Sequence, residues 1–208
     1  MPLRPVQVNL KALAPASLGE FWAAALGWRV HARQTVYVAP DGPFRWPQPG
    51  GGIGLDVVGV SDPKPAAKNG VHLDLASDSP ARQAELIARL RDLGATDADV
   101  GQGDDVPWTV LADPEGNEFC VLEPREVYRD TGPIAAVVVD CADPRAMARF
   151  WGAAVDWTVR EVTDDFASLR SPGDAGPYLE FLRTPDAPAA SRLHLDLLPY
   201  PGDEGEVA

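Results

Sequence analysis

The chain repeats itself, and the repeat sets the plan of the fold. Phe21-Trp22-Ala23-Ala24-Ala25-Leu26-Gly27-Trp28 returns as Phe150-Trp151-Gly152-Ala153-Ala154-Val155-Asp156-Trp157, 129 residues on. Val71-His72-Leu73-Asp74-Leu75 returns as Leu193-His194-Leu195-Asp196-Leu197, 122 residues on. Two unrelated signatures recurring in one order at nearly one offset mark a duplicated unit of about 125–130 residues. The copies are unequal, because only fourteen residues follow His194. The expected organisation is a complete module over 1–124, a charged and turn-rich linker over 125–133, and a partial, apparently truncated second module over 134–208.

Composition narrows the class. A 45% hydrophobic and 24% charged sequence is that of a globular protein. No apolar run approaches the ~18–20 residues that span a bilayer. The opening Met1-Pro2-Leu3-Arg4-Pro5 lacks the apolar core of a secretory signal, so a cytoplasmic location is expected. A net charge of −13 with no basic stripe argues against nucleic acid as a partner. Arg outnumbers Lys 15 to 3, a bias expected of a GC-rich bacterial genome. Cys120 and Cys141 lie in apolar runs and read as buried, reduced thiols.

Each half of the first copy follows one scheme of strand, helix, then two or three strands. Strand-like alternation at 6–10 precedes a helix over 15–26, with Pro near its start and Gly27 at its end. A β-rich stretch at 28–39 and a strand at 50–60 follow, separated by a Pro/Gly loop holding Trp46. A strand over 70–76 leads into a helix with Leu86, Ile87, Leu90 and Leu93 at helical spacing, capped by Ser77 or Ser79 and stopped by Gly94. Strands at 108–112 and 117–123 flank the turn Asp113-Pro114-Glu115-Gly116. The second copy predicts a strand at 134–139, a helix at 144–155, strands near 158–170, 177–183 and 194–198, and a first helical turn at 202–208.

Alternation sorts these strands into two faces. Val6, Val8, Leu10, Ile53, Leu55, Val57, Val71, Leu73, Leu75, Phe119 and Val121 need cover from the helices. Their alternates include Gln7, Asn9, Asp56, His72, Asp74, Glu118 and Cys120, which favour a lined cavity. Trp22, Trp28, Trp151 and Trp157 recur at helix positions and read as core. Trp46 and Trp108 are placed at a cavity mouth, Trp108 equally open to a purely structural role. Asp74 could orient the His72 imidazole or act as acid/base, or simply bond a neighbouring strand. Glu123 points away from the cavity by alternation.

The paired units, Phe-Trp-x-x-x-Leu-Gly-Trp, His-Leu-Asp-Leu and Asp-Pro-Glu-Gly-Asn-Glu-Phe-Cys-Val-Leu together resemble the vicinal oxygen chelate superfamily, in its glyoxalase-like and bleomycin-resistance-like branch. The resemblance covers 5–124 as one module and 134–208 as roughly half of another. It implies an α+β fold of the glyoxalase/dihydroxybiphenyl dioxygenase type, in which paired βαβββ units curl one mixed sheet around a cavity, with helices on its outer face. In metal-binding members, ligands project from the first, fourth, fifth and eighth strands. These positions fall on Gln7, on Gly54 or Asp56, on His72 and on Cys120, where those enzymes carry Glu. Ala136 replaces Gln7 in the second copy, while His194, Asp196 and Glu180 persist.

Two functions are therefore expected as alternatives. One is a binder of a small, partly aromatic molecule in the first module's cavity, without a metal cofactor, through Gln7, Asn9, Trp46, Asp56, His72, Asp74, Trp108, Glu118 and Cys120. The other is a divalent-metal-dependent lyase, isomerase or dioxygenase using Gln7, His72 and Cys120 with a nearby carboxylate. The half module's open strand edges predict pairing with another half module, across a homodimer or on the first domain.

Overall fold

A computed structural model describes residues 3–32, 34–43, 52–103, 105–185 and 191–199. The first unit is β1 (Arg4–Ala12), α1 (Pro15–Leu26), β2 (Arg29–Ala32), β3 (Val36–Ala39) and β4 (Gly54–Gly59). The second is β5 (Val71–Leu75), α2 (Pro80–Asp92), β6 (Thr96–Asp97), β7 (Thr109–Ala112) and β8 (Glu118–Val121). The third is β9 (Ile134–Cys141), α3 (Pro144–Ala154), β10 (Thr158–Val162), β11 (Phe166–Arg170) and β12 (Tyr178–Arg183). β13 (Leu193–Leu198) opens a fourth. Trp46 and the helical turn expected at 202–208 lie outside the described residues.

The helices start and stop where their end residues supply or release backbone hydrogen bonds. Gly27 closes α1 in the left-handed conformation (φ 67°), which costs glycine little. Ser79, not Ser77, caps α2 by accepting from the Arg82 N–H, while Ser77 Oγ donates to the Leu122 carbonyl. Asp143 caps α3 through the Ala146 N–H. Among the described residues, no helix is long and apolar enough to cross a membrane.

The strands form two mixed sheets that cut across the sequence repeat. The five-stranded sheet runs β13-β1-β4-β3-β2, and the eight-stranded sheet runs β10-β11-β12-β9-β5-β8-β7-β6. β5 therefore pairs antiparallel with β9 of the second copy, and β1 with β13. The continuous curled sheet is built from the second and third units, whereas the first unit extends its own sheet with β13 alone.

One core backs both sheets. Val8, Leu10, Leu55 and Val57 of the five-stranded sheet belong to the same buried cluster as Leu73, Leu75, Phe119 and Val121 of the eight-stranded sheet. Trp22 of α1 reaches across that core, with its ring 5.1 Å from Phe119 of β8 and its Nε1 donating to Asp113 at 3.2 Å. Period-2 alternation then turns the polar alternates of the two sheets away from each other, outward on opposite sides.

Candidate functional site

The expected single trough is two separate polar faces. His72 and Asp74 of β5, Cys120 of β8 and Trp108 line one cavity of about 400 Å³. Gln7 and Asn9 of β1 and Asp56 of β4 belong to the other sheet and line no part of it. The cause is the pairing: β5 takes β9 as its antiparallel neighbour, not β1. Glu118 is also outside the cavity lining, because Lys64 Nζ holds it at 2.8 Å and the Asn69 N–H donates to it. Gly54 offers no donor, and the space its side chain would occupy is filled by the Tyr37 hydroxyl.

Residues that sequence reasoning leaves out of the site complete the cavity. Tyr178, Glu180 and Leu182 of β12, Phe166 and Ser168 of β11, and Glu161 of β10 form one side. Arg125, Val127 and Tyr128 come from the supposed linker, whose short 3-10 turn (Glu126–Tyr128) buries the Tyr128 ring. That hydroxyl donates to Glu180 Oε1 at 2.9 Å, and its ring meets Tyr178 edge-on at 5.7 Å. Arg125 lies 5.8 Å from the ring centres of both Trp108 and Tyr128 and donates to Glu123 at 2.5 Å. Trp108 itself donates to Gln102 at 2.8 Å. A signal for Glu180 exists in the repeat: it takes in β12 the place that Asp56 takes in β4.

Burial governs the electrostatics. Glu180 is raised from 4.5 to about 7, first by burial and then by the nearby Asp74 carboxylate, while Tyr128 and Arg125 oppose the shift. The Cys120 thiol is pushed up by burial and again by Asp74, which keeps it protonated and unreactive at neutral pH. The Tyr128 hydroxyl is raised by burial and by Glu180. Asp74 Oδ1 and His72 Nδ1 are buried without a hydrogen-bond partner, and Asp74 Oδ1 stands 3.4 Å from His72 Nε2.

The same positions recur on the five-stranded sheet with one difference. There the Gln7 amide donates to Asp196 at 2.8 Å and to Asp56 at 3.3 Å, bridging two carboxylates. In the cavity the corresponding carboxylates are Asp74 and Glu180, and the corresponding bridge position is Ala136, paired with both Asp74 and Tyr178. A methyl group cannot donate.

A metal ion has a partial fit. His72, Asp74 and Cys120 each offer a ligand atom, all within 4.8 Å of one another, and nitrogen, oxygen and sulfur donors of this kind suit Zn²⁺. Gln7 is excluded from that set by its place on the other sheet, and Ala136 supplies nothing in its stead.

Comparison with known proteins agrees with this architecture. The sequence model of the glyoxalase-like domain matches residues 7–122 and again 136–208. No curated protein matches the sequence. Among solved structures, glyoxalase I from Zea mays superposes with a TM-score of 0.62 at 13% identity, covering 93% of this chain and 72% of the maize chain. A Bacillus subtilis protein described as a candidate dioxygenase gives 0.56 at 14% identity, covering 88% of this chain. The chain spans 64% of that protein's length. At such identities the likeness speaks to fold alone. The twofold match of the domain model, on repeats that fold as βαβββ units, makes this chain a member of the glyoxalase-like family of the vicinal oxygen chelate superfamily.

Proposed function

We propose that the cavity between β5, β8, β9 and β12 captures a small, partly aromatic molecule, without a catalytic metal. The observation that carries this reading is the lining: Trp108, Tyr128, Phe166 and Tyr178 supply aromatic surface around a few buried polar groups. Apolar walls with a small number of placed polar atoms are the usual make-up of a small-molecule site. Its volume of about 400 Å³ suits a ligand of two or three fused rings. The protonated state of Cys120 favours a passive pocket over a nucleophilic one.

Calorimetric titration with 1-naphthalenemethanol tests the reading. Saturable binding of one molecule per chain is expected, weakened about tenfold in Trp108→Ala as stacking area is lost. Absence of saturable binding to the folded protein would overturn it.

A second reading rests on the His72, Asp74 and Cys120 donors: a metal-dependent lyase, isomerase or dioxygenase. A bound divalent ion would act as a Lewis acid toward paired substrate oxygens. Glu180, near neutrality, would exchange a proton with the substrate, and Tyr128 would hold that carboxyl in place. Elemental analysis of protein purified without chelator decides it. Stoichiometric Zn, Ni, Mn or Fe, lost in His72→Ala, supports the enzyme, and a metal-free protein removes it.

A further inference from the structure

We propose that the ligand of this cavity carries a positively charged nitrogen beside its aromatic part, and that this nitrogen lies between Asp74 and Glu180. The inference rests on the binding role proposed above and names the chemical class of ligand. Its basis is the comparison of the two faces. On the five-stranded sheet, a donor of the chain itself, Gln7 Nε2, bridges Asp56 and Asp196. In the cavity the position of Gln7 is taken by Ala136, which is opposite Asp74 on β5 and opposite Tyr178, two residues before Glu180, on β12. A donor is supplied on one face and withheld on the other.

The rest of the cavity does not make good the difference. From β5 comes His72, whose Nε2 is 3.4 Å from Asp74, beyond a good hydrogen bond. From β8 comes the neutral Cys120 thiol, hydrogen-bonded to the Asp74 carboxylate but a weak donor without charge. On β9, Ala136 and Val138 pair with Asp74 and His72 and carry no donor side chain, β11 contributes Ser168, and β10 adds a further carboxylate, Glu161. Arg125 is the cationic side chain among the described lining residues, and it is engaged by Glu123. Tyr128 satisfies one oxygen of Glu180, while Asp74 Oδ1 is buried and accepts no hydrogen bond. Two buried carboxylates without a cation between them are costly to the empty site, and a bound cation removes that cost.

The walls suit the same ligand. Arg125 lies over Trp108 and Tyr128, and Arg170 lies 4.3 Å from the centre of Tyr178, so three of these rings already hold cations against them. An aromatic amine would set its ring among them and its ammonium at the unbridged carboxylates. A neutral aromatic gains only the first of these contacts.

The test compares 1-naphthylmethylamine with 1-naphthalenemethanol by calorimetry at pH 8, on chelator-treated protein so that no metal can coordinate the amine. The amine is expected to bind at least about tenfold tighter, the equivalent of one charge-assisted hydrogen bond. Ala136→Gln, which restores the bridging amide, should abolish that preference. Glu180→Gln should reduce the ratio of amine to alcohol affinity, and a circular dichroism spectrum like that of the wild-type protein controls for misfolding. Equal affinities in the wild-type protein would overturn the inference while sparing the binding role. If neither compound binds, both fall.

Discussion

His72-Leu73-Asp74 and His194-Leu195-Asp196 are one sequence placed twice, and the two placements differ sharply. In both, the imidazole Nε2 stands 3.4 Å from the carboxylate. The side chains of His72 and Asp74 are only 8% and 11% exposed, whereas those of His194 and Asp196 are 50% and 34% exposed. β5 has a strand on either side, β9 and β8, while β13 has only β1 among the described residues. The helices repeat the contrast. Phe21 is 5% exposed because α1 packs it against Phe119 of β8, while its twin Phe150 on α3 is 63% exposed. Neighbouring strands, not the motif, turn a His-Asp pair into a cavity group.

Several substitutions would break or sharpen that contrast. The largest effect is expected at the shared core. Trp22→Ala removes the ring that joins the two sheets and should cost about 3–5 kcal/mol, with both sheets lost in one unfolding transition. Two separate transitions in chemical denaturation would show that the faces are independently supported.

Glu180 comes next. Its carboxyl binds a proton more tightly folded than unfolded, so its favourable contribution is complete below about pH 4.5 and is lost as pH rises through about 7. At pH 8 the folded state then bears a penalty of about 3 kcal/mol. Glu180→Gln should therefore stabilise the protein at pH 8 and change little at pH 4.5, as read from urea midpoints at the two values.

The thiol separates the twins on a smaller scale. Asp74→Asn removes a charge that holds the Cys120 proton, and alkylation should speed up about tenfold. Asp196→Asn should leave the rate unchanged. The smallest effect is Gln7→Ala, which deletes the amide bridge on the five-stranded sheet for about 1 kcal/mol. Affinity for 1-naphthalenemethanol should not move, whereas a site shared with His72 would lose it.

Much of this architecture is legible in the amino-acid sequence. The helix ends at Gly27 and Ser79 follow from local backbone chemistry, and alternation sorts His72, Asp74 and Cys120 onto one face. Which units pair is the part that local patterns leave open. β1 and β9 carry the same pattern, so β5 could accept either, and strand pairing between units of one plan is settled by contacts far apart in sequence. Alternation alone therefore puts Gln7 in the cavity, and the pairing of β5 with β9 removes it. Tyr128 is hidden in a stretch that composition marks as a connector, although its ring is buried against the site. Glu118 has the pattern of a cavity carboxylate, but Lys64, distant in sequence, claims it.

Cross-strand NOEs between backbone protons give the most direct test of the pairing on which the rest depends. Contacts are expected from Val71 and Leu73 to Val139 and Val137, and from Val8 to Leu195. NOEs joining β1 to β5 instead would place Gln7 beside His72 and contradict it.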